Sequence, residues 1–132
     1  MRAGIELFLA LCLVLGGAIG SAVPPLKVAG TFSSLTYNAE GGDLIGFEVR
    51  IVPSNEGLKA LVQVAQGDSG KVYLVSVEQK GDVLSFDVPL SLNMHGRFEG
   101  TVSPNGLDGK ISYPTGAIER VSLKRTTSYW ER

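Results

Sequence analysis

From residue 27 onward, apolar and polar positions alternate in short runs separated by turn residues, the signature of β-strands with one buried face. The clearest run is 44–51, where Ile45, Phe47, Val49 and Ile51 fall on one side and Gly46, Glu48 and Arg50 on the other. Successive strand side chains point to opposite faces, so one face is core and the other wet. In-phase runs follow at 58–65 (Leu58, Ala60, Val62, Val64), at 83–88 (Leu84, Phe86, Val88), at 93–102 (Met94, Phe98, Val102) and at 107–113 (Leu107, Ile111, Tyr113). A first strand at 27–37, a less one-sided one at 71–79 and a last at 117–125, marked by Val121 and Leu123, bring the expected number to eight.

Turn chemistry fills the intervals. Glu40-Gly41-Gly42-Asp43, Pro53-Ser54-Asn55-Glu56-Gly57, Gly67-Asp68-Ser69-Gly70, Lys80-Gly81-Asp82, Pro104-Asn105-Gly106 and Pro114-Thr115-Gly116 each supply a residue that tolerates positive φ or fixes the chain for a turn. Pro104-Asn105-Gly106, between two alternating runs, is the strongest hairpin signal. No helical stretch separates consecutive strands, so parallel crossovers are unavailable and neighbours are expected to pair antiparallel in sequence order. The fold class is therefore all-β, a single antiparallel up-and-down eight-stranded barrel, with a β-sandwich as the alternative. Closure is favoured because it removes exposed edges.

The first 22 residues carry a different pattern. Arg2 precedes the apolar run 7–15, and small residues follow, with Gly20 and Ala22 at the third-last and last positions of a peptidase site. Residues 1–22 are expected to be a signal peptide and 23–132 the β-barrel domain, exported to the periplasm or the extracellular space. The apolar run is shorter than the ~20 residues that span a bilayer, so no stable membrane insertion is expected after cleavage. Leu9-Ala10-Leu11-Cys12 superficially matches a lipid-attachment box, but Leu11 is not small and the cysteine sits inside the apolar run. Outward charges at Glu48, Arg50, Arg97, Glu99, Asp108 and Lys110 argue against an outer-membrane barrel.

Composition then removes several functions. The 12 Lys plus Arg nearly balance the 13 Asp plus Glu, so there is no single-sign field for nucleic acid. The single cysteine, Cys12, lies in the export segment, which leaves no thiol for a disulfide, a zinc site or a nucleophile in the remainder. His95 is the only histidine and falls on a polar face beside Arg97 and Thr101, where an exposed surface role is expected. Asp68-Ser69-Gly70 reads as a turn, and the carboxylate pairs Glu48 with Glu99 and Asp87 with Asp108 as solvated charge. No metal site, cofactor or enzymatic activity is expected. The tail 126–132, with Tyr129 and Trp130, is expected to fray or to pack its aromatic pair over a barrel end, with contact to a partner as the alternative.

The segments "VAGTF", "DLIGFEVRIV", "GDVLSFDVP", "GRFEGTVSPNG", "LDGKIS" and "RVSLKR" together resemble a lipocalin-like β-barrel module of bacterial secreted proteins, the kind often found before serine hydrolase or α/β-hydrolase domains. The resemblance spans about 28–125. It implies fold and compartment and brings no catalytic residue, since no hydrolase domain follows within these 132 residues. The first strand has Phe32 where such modules commonly carry a tryptophan that plugs the barrel.

The inward face is almost wholly apolar. Phe47, Val49, Val62, Phe86, Met94, Phe98, Ile111 and Tyr113 form the expected lining, either a dry core or a pocket for a small hydrophobic molecule, with Gly96, Gly100 and Gly109 keeping space near the wall and Tyr113 offering a hydroxyl. A non-enzymatic exported binding module is the expected function. An accessory envelope protein that binds or inhibits a protein partner through its loops is the alternative.

Overall fold

A computed structural model describes residues 26–91 and 94–132, with the side chains of residues 91 and 94 outside the description. The expected export segment 1–22 lies outside the described residues. Ten strands form one sheet: β1 (Gly30–Ser33), β2 (Thr36–Asn38), β3 (Asp43–Ser54), β4 (Gly57–Gly67), β5 (Val72–Ser76), β6 (Glu78–Lys80), β7 (Val83–Ser91), β8 (Met94–Val102), β9 (Gly106–Ser112) and β10 (Ile118–Arg125). Nine of them run in the order β5-β4-β3-β1-β10-β9-β8-β7-β6, and β2 pairs with β3 beside that path. Every pairing is antiparallel.

Two junctions turn the sheet into a nearly closed barrel rather than a sandwich. The first joins the ends of the chain: Phe32 lies opposite Arg125 and Ser33 opposite Lys124. The second is a shared stave. β5 pairs with β4, the Val77 N–H still donates to the Leu58 carbonyl, and from Glu78 onward the chain pairs with β7 instead. The run expected at 71–79 is thus one stave that changes partners at Val77. The first run also divides, at Ser34 and Leu35, into β1 and β2. These two divisions account for the difference between the eight expected runs and the ten strands.

At Ser34 the chain leaves the barrel wall and crosses the outer face of β3 at Gly46. A Cβ on Gly46 would lie 2.5 Å from the Ser34 carbonyl oxygen, and its φ of +121° is one that side-chain-bearing residues avoid. The crossing has a consequence for the core face. Ile45 was expected inward with Phe47, Val49 and Ile51, but it is 45% exposed at the barrel rim. Leu44 is covered instead, on the opposite face, in a small second cluster with Leu35 and Ala65.

The main core holds Phe32, Phe47, Val49, Ile51, Val62, Leu84, Phe86, Phe98, Leu107 and Leu123, all buried. Phe86 stacks on Phe98 at 4.7 Å between ring centroids, and Phe47 tilts against Phe98 at 6.4 Å. The end of the barrel that carries the short turns is shut by Phe32 with the Arg125 guanidinium 4.6 Å above its ring. Arg125 also donates to the carbonyls of Ala29, Lys27 and Ser103, tying the entry of β1 to the β8–β9 turn. That turn bears out the hairpin signal, with Val102 opposite Leu107. Its glycine serves close approach rather than positive φ, since a Cβ on Gly106 would sit 2.3 Å from the Leu123 carbonyl oxygen.

The C-terminal tail neither frays nor caps a barrel end. Residues Tyr129–Glu131 form a short 3-10 turn laid across the outer face of β3 and β4. Glu48, expected to be solvated, is 8% exposed beneath it. Its carboxylate accepts from the Ser128 hydroxyl and from the Tyr129 N–H at 2.9 Å. The Trp130 indole N–H donates to Gln63 at 2.8 Å, Arg50 pairs with Glu131 at 3.0 Å, and Tyr129 packs on the Leu35–Leu44–Ala65 cluster.

Candidate functional site

Because β1 ends at Ser33, β10 has no neighbour on that side from Ile118 to Leu123 among the described residues, while β3 is paired there by β2. The wall is therefore incomplete at the end of the barrel opposite the Phe32 plug. A cavity of about 310 Å³ opens there, with Phe47, Val64, Leu90, Ile111 and Val121 as its apolar lining and Ser34, Gln66, Glu119 and Arg120 among its polar edge. Leu90 stands where the β7–β8 register slips between Pro89 and Ser91, a bulge that leaves it without a paired residue.

Of the eight residues expected to line the interior, seven divide into two groups. Phe47, Ile111 and Tyr113 border the cavity. Val49, Val62, Phe86 and Phe98 are fully buried beneath it, in the packed half of the barrel. The side chain of Met94 lies outside the described residues. The glycines expected to keep space near the wall do not: an added Cβ would meet the Ile111 side chain at Gly96 and the Phe98 ring at Gly100, each at 2.6 Å, and the Glu99 carbonyl at Gly109. The space they leave is occupied by protein.

One polar pair interrupts the lining. The Tyr113 hydroxyl donates to the Glu119 carboxylate at 2.5 Å. Glu119 is directly opposite Ile111 in the β9–β10 ladder and shares its inward face, together with Val121 and Leu123. Burial, and then the hydrogen bond and negative charge of Glu119, push the Tyr113 phenol up to about 12. At neutral pH the hydroxyl keeps its proton, and one Glu119 oxygen is not engaged by it. Sequence reading overlooked Glu119, although continuing the Val121–Leu123 alternation by one step would have placed it inward.

The convex face offers a larger hollow of about 500 Å³ over β8, β9 and β10, bounded by Glu99, Asp108, Lys110 and Arg120. It is the more open of the two and its borders are charged, whereas the barrel-mouth cavity sets an apolar floor inside the barrel against a polar rim that includes the Tyr113–Glu119 pair and Arg120. Among the described residues no group of three or more His, Cys, Asp or Glu side chains is placed to hold a metal ion. His95 is exposed, and Asp68, Ser69 and Gly70 form the exposed link between β4 and β5. Compared with protein-family models, curated proteins and solved structures, the chain matches none.

Proposed function

We propose that the protein is an exported, non-enzymatic binding module, periplasmic or extracellular, that takes a small hydrophobic molecule into the mouth of its barrel. The observation that carries this reading is the division of the interior: one half is a dry aromatic core shut by Phe32 and Arg125, and the other is a cavity with an apolar floor and a polar rim, reached through the gap that β1 leaves beside β10. The lipocalin-like resemblance points the same way.

Titration of methyl-labelled protein with 1-octanol tests the proposal. Chemical-shift changes are expected at Ile111, Val64 and Leu90, which border the cavity, and not at Val49 or Val62, which lie in the packed half. Absence of any change at millimolar octanol, or equal changes at both sets, refutes the pocket. Filling the cavity with Val64→Phe should abolish the response while leaving the melting curve cooperative.

A protein partner remains a second reading because one apolar patch lies open on the outer wall. Leu61 faces Leu74 across the β4–β5 ladder, Val72 faces Gln63, and Trp130 is hydrogen-bonded to that same Gln63. Leu74 and Trp130 are 66% and 56% exposed, and large apolar side chains grouped on a surface mark interaction sites. Leu74→Lys should then release a co-purifying protein without altering octanol binding.

A further inference from the structure

We infer that the barrel-mouth cavity selects amphiphiles whose head group is cationic or donates hydrogen bonds, such as a primary ammonium on an apolar tail, and rejects carboxylates. The inference rests on the binding reading above. Among the described residues Glu119 is the inward-facing carboxylate at this cavity, and its position is fixed from two sides, by the β9–β10 ladder and by the Tyr113 hydroxyl. Arg120, the next residue along β10, also borders this cavity, but in the ladder it lies opposite Lys110 on the other face, where it joins Glu99 and Asp108 around the convex hollow. The guanidinium therefore does not share the inward face with the carboxylate.

The chemistry of the pair is asymmetric. Tyr113 spends its single proton on Glu119 and holds it well above neutral pH, so the pair presents acceptor oxygens and negative charge to the cavity and no free donor. A ligand carboxylate would meet like charge at this pair, which has no donor left to bond it. An ammonium would donate a charge-assisted hydrogen bond to the remaining Glu119 oxygen, while its chain lies on Phe47, Val64, Leu90 and Ile111. A hydroxyl head group can donate to the same oxygen without the charge.

Isothermal titration of the purified protein with octylammonium, 1-octanol and octanoate at neutral pH and low salt tests the assignment. Octylammonium is expected to bind at least tenfold tighter than octanoate, with octanol between them. Glu119→Gln should bring the three within about twofold of one another while octanol binding persists, and Glu119→Lys should invert the order. A preference for octanoate in the unaltered protein, or an octylammonium preference that survives Glu119→Gln, overturns the inference and leaves the binding reading standing. Failure of all three ligands to bind overturns both.

Discussion

Replacing Glu48 with alanine strands the two donors that its carboxylate holds, the Ser128 hydroxyl and the Tyr129 N–H. A hydrogen bond to a charged group contributes about 1.5–3 kcal/mol, and a buried donor left without a partner costs about 1–3 kcal/mol. Ser128 is buried, whereas the Tyr129 N–H is near enough to the surface to find water. The hydroxyl therefore dominates, and the loss should be about 2–3 kcal/mol. At roughly 4 °C per kcal/mol for a domain of this size, the melting temperature should fall by about 8–12 °C. Trp130 is the only tryptophan and sits in the tail, so its fluorescence reports strap release while far-UV circular dichroism reports the barrel. The decisive comparison is a double-mutant cycle with removal of residues 126–132. Without the tail, Glu48 stands on an open outer face with no donors to lose, and Glu48→Ala should cost less than about 0.5 kcal/mol, as surface substitutions do. If it costs as much in the shortened chain as in the full one, the carboxylate acts through the sheet and the strap argument is wrong.

Phe98→Ala should destabilise the protein by about 3–5 kcal/mol in urea titration, because the ring is fully buried between Phe86 and Phe47 and no neighbour is free to fill its place. Arg125→Lys should also be costly, by about 2 kcal/mol, since one ammonium cannot reach the three carbonyls that the guanidinium serves while lying over Phe32. Full stability in that variant would show the plug to be dispensable. Stability at high pH is set in part by Tyr113. The folded protein keeps the phenol proton up to about pH 12 and the unfolded chain releases it near 10, so the contribution is complete below pH 10 and is lost as the pH rises through 12. Tyr113→Phe should flatten that decline, measured by urea midpoints from pH 9 upward.

Period-two alternation was enough to place the staves, and short turns between them were enough to make the sheet an antiparallel meander. Alternation reports which face a residue is on. It does not report what will cover that face. Glu48 was read correctly as outward, yet seven residues from the far end of the chain bury it, and no local pattern around Glu48 signals their arrival. Ile45 fails for the complementary reason: it keeps the inward phase of β3 but lies at the rim, where the crossing at Gly46 moves coverage to Leu44. The site was half legible. The apolar lining at Phe47, Ile111 and Tyr113 followed from phase, whereas the cavity beside it depends on β1 stopping at Ser33, which sequence reading had carried on to residue 37. Glu119 was within reach of the same phase argument, but a run recognised by only two apolar residues drew attention away from its charged beginning.

The pairing of β1 with β10 sets a timetable for folding. Arg125 donates to the Lys27 carbonyl across a separation of 98 residues, so the ring cannot close until nearly the whole chain is available. Every hairpin from β3 to β9 can form earlier from local contacts, but Phe32 gains its guanidinium lid and β10 its second neighbour only at that last step. Contacts of such separation slow folding because loop closure is costly before it is rewarded. A chain halted before residue 118 would present β1 and β9 as open edges above an aromatic core without its guanidinium lid, the form most prone to join edge to edge with another copy.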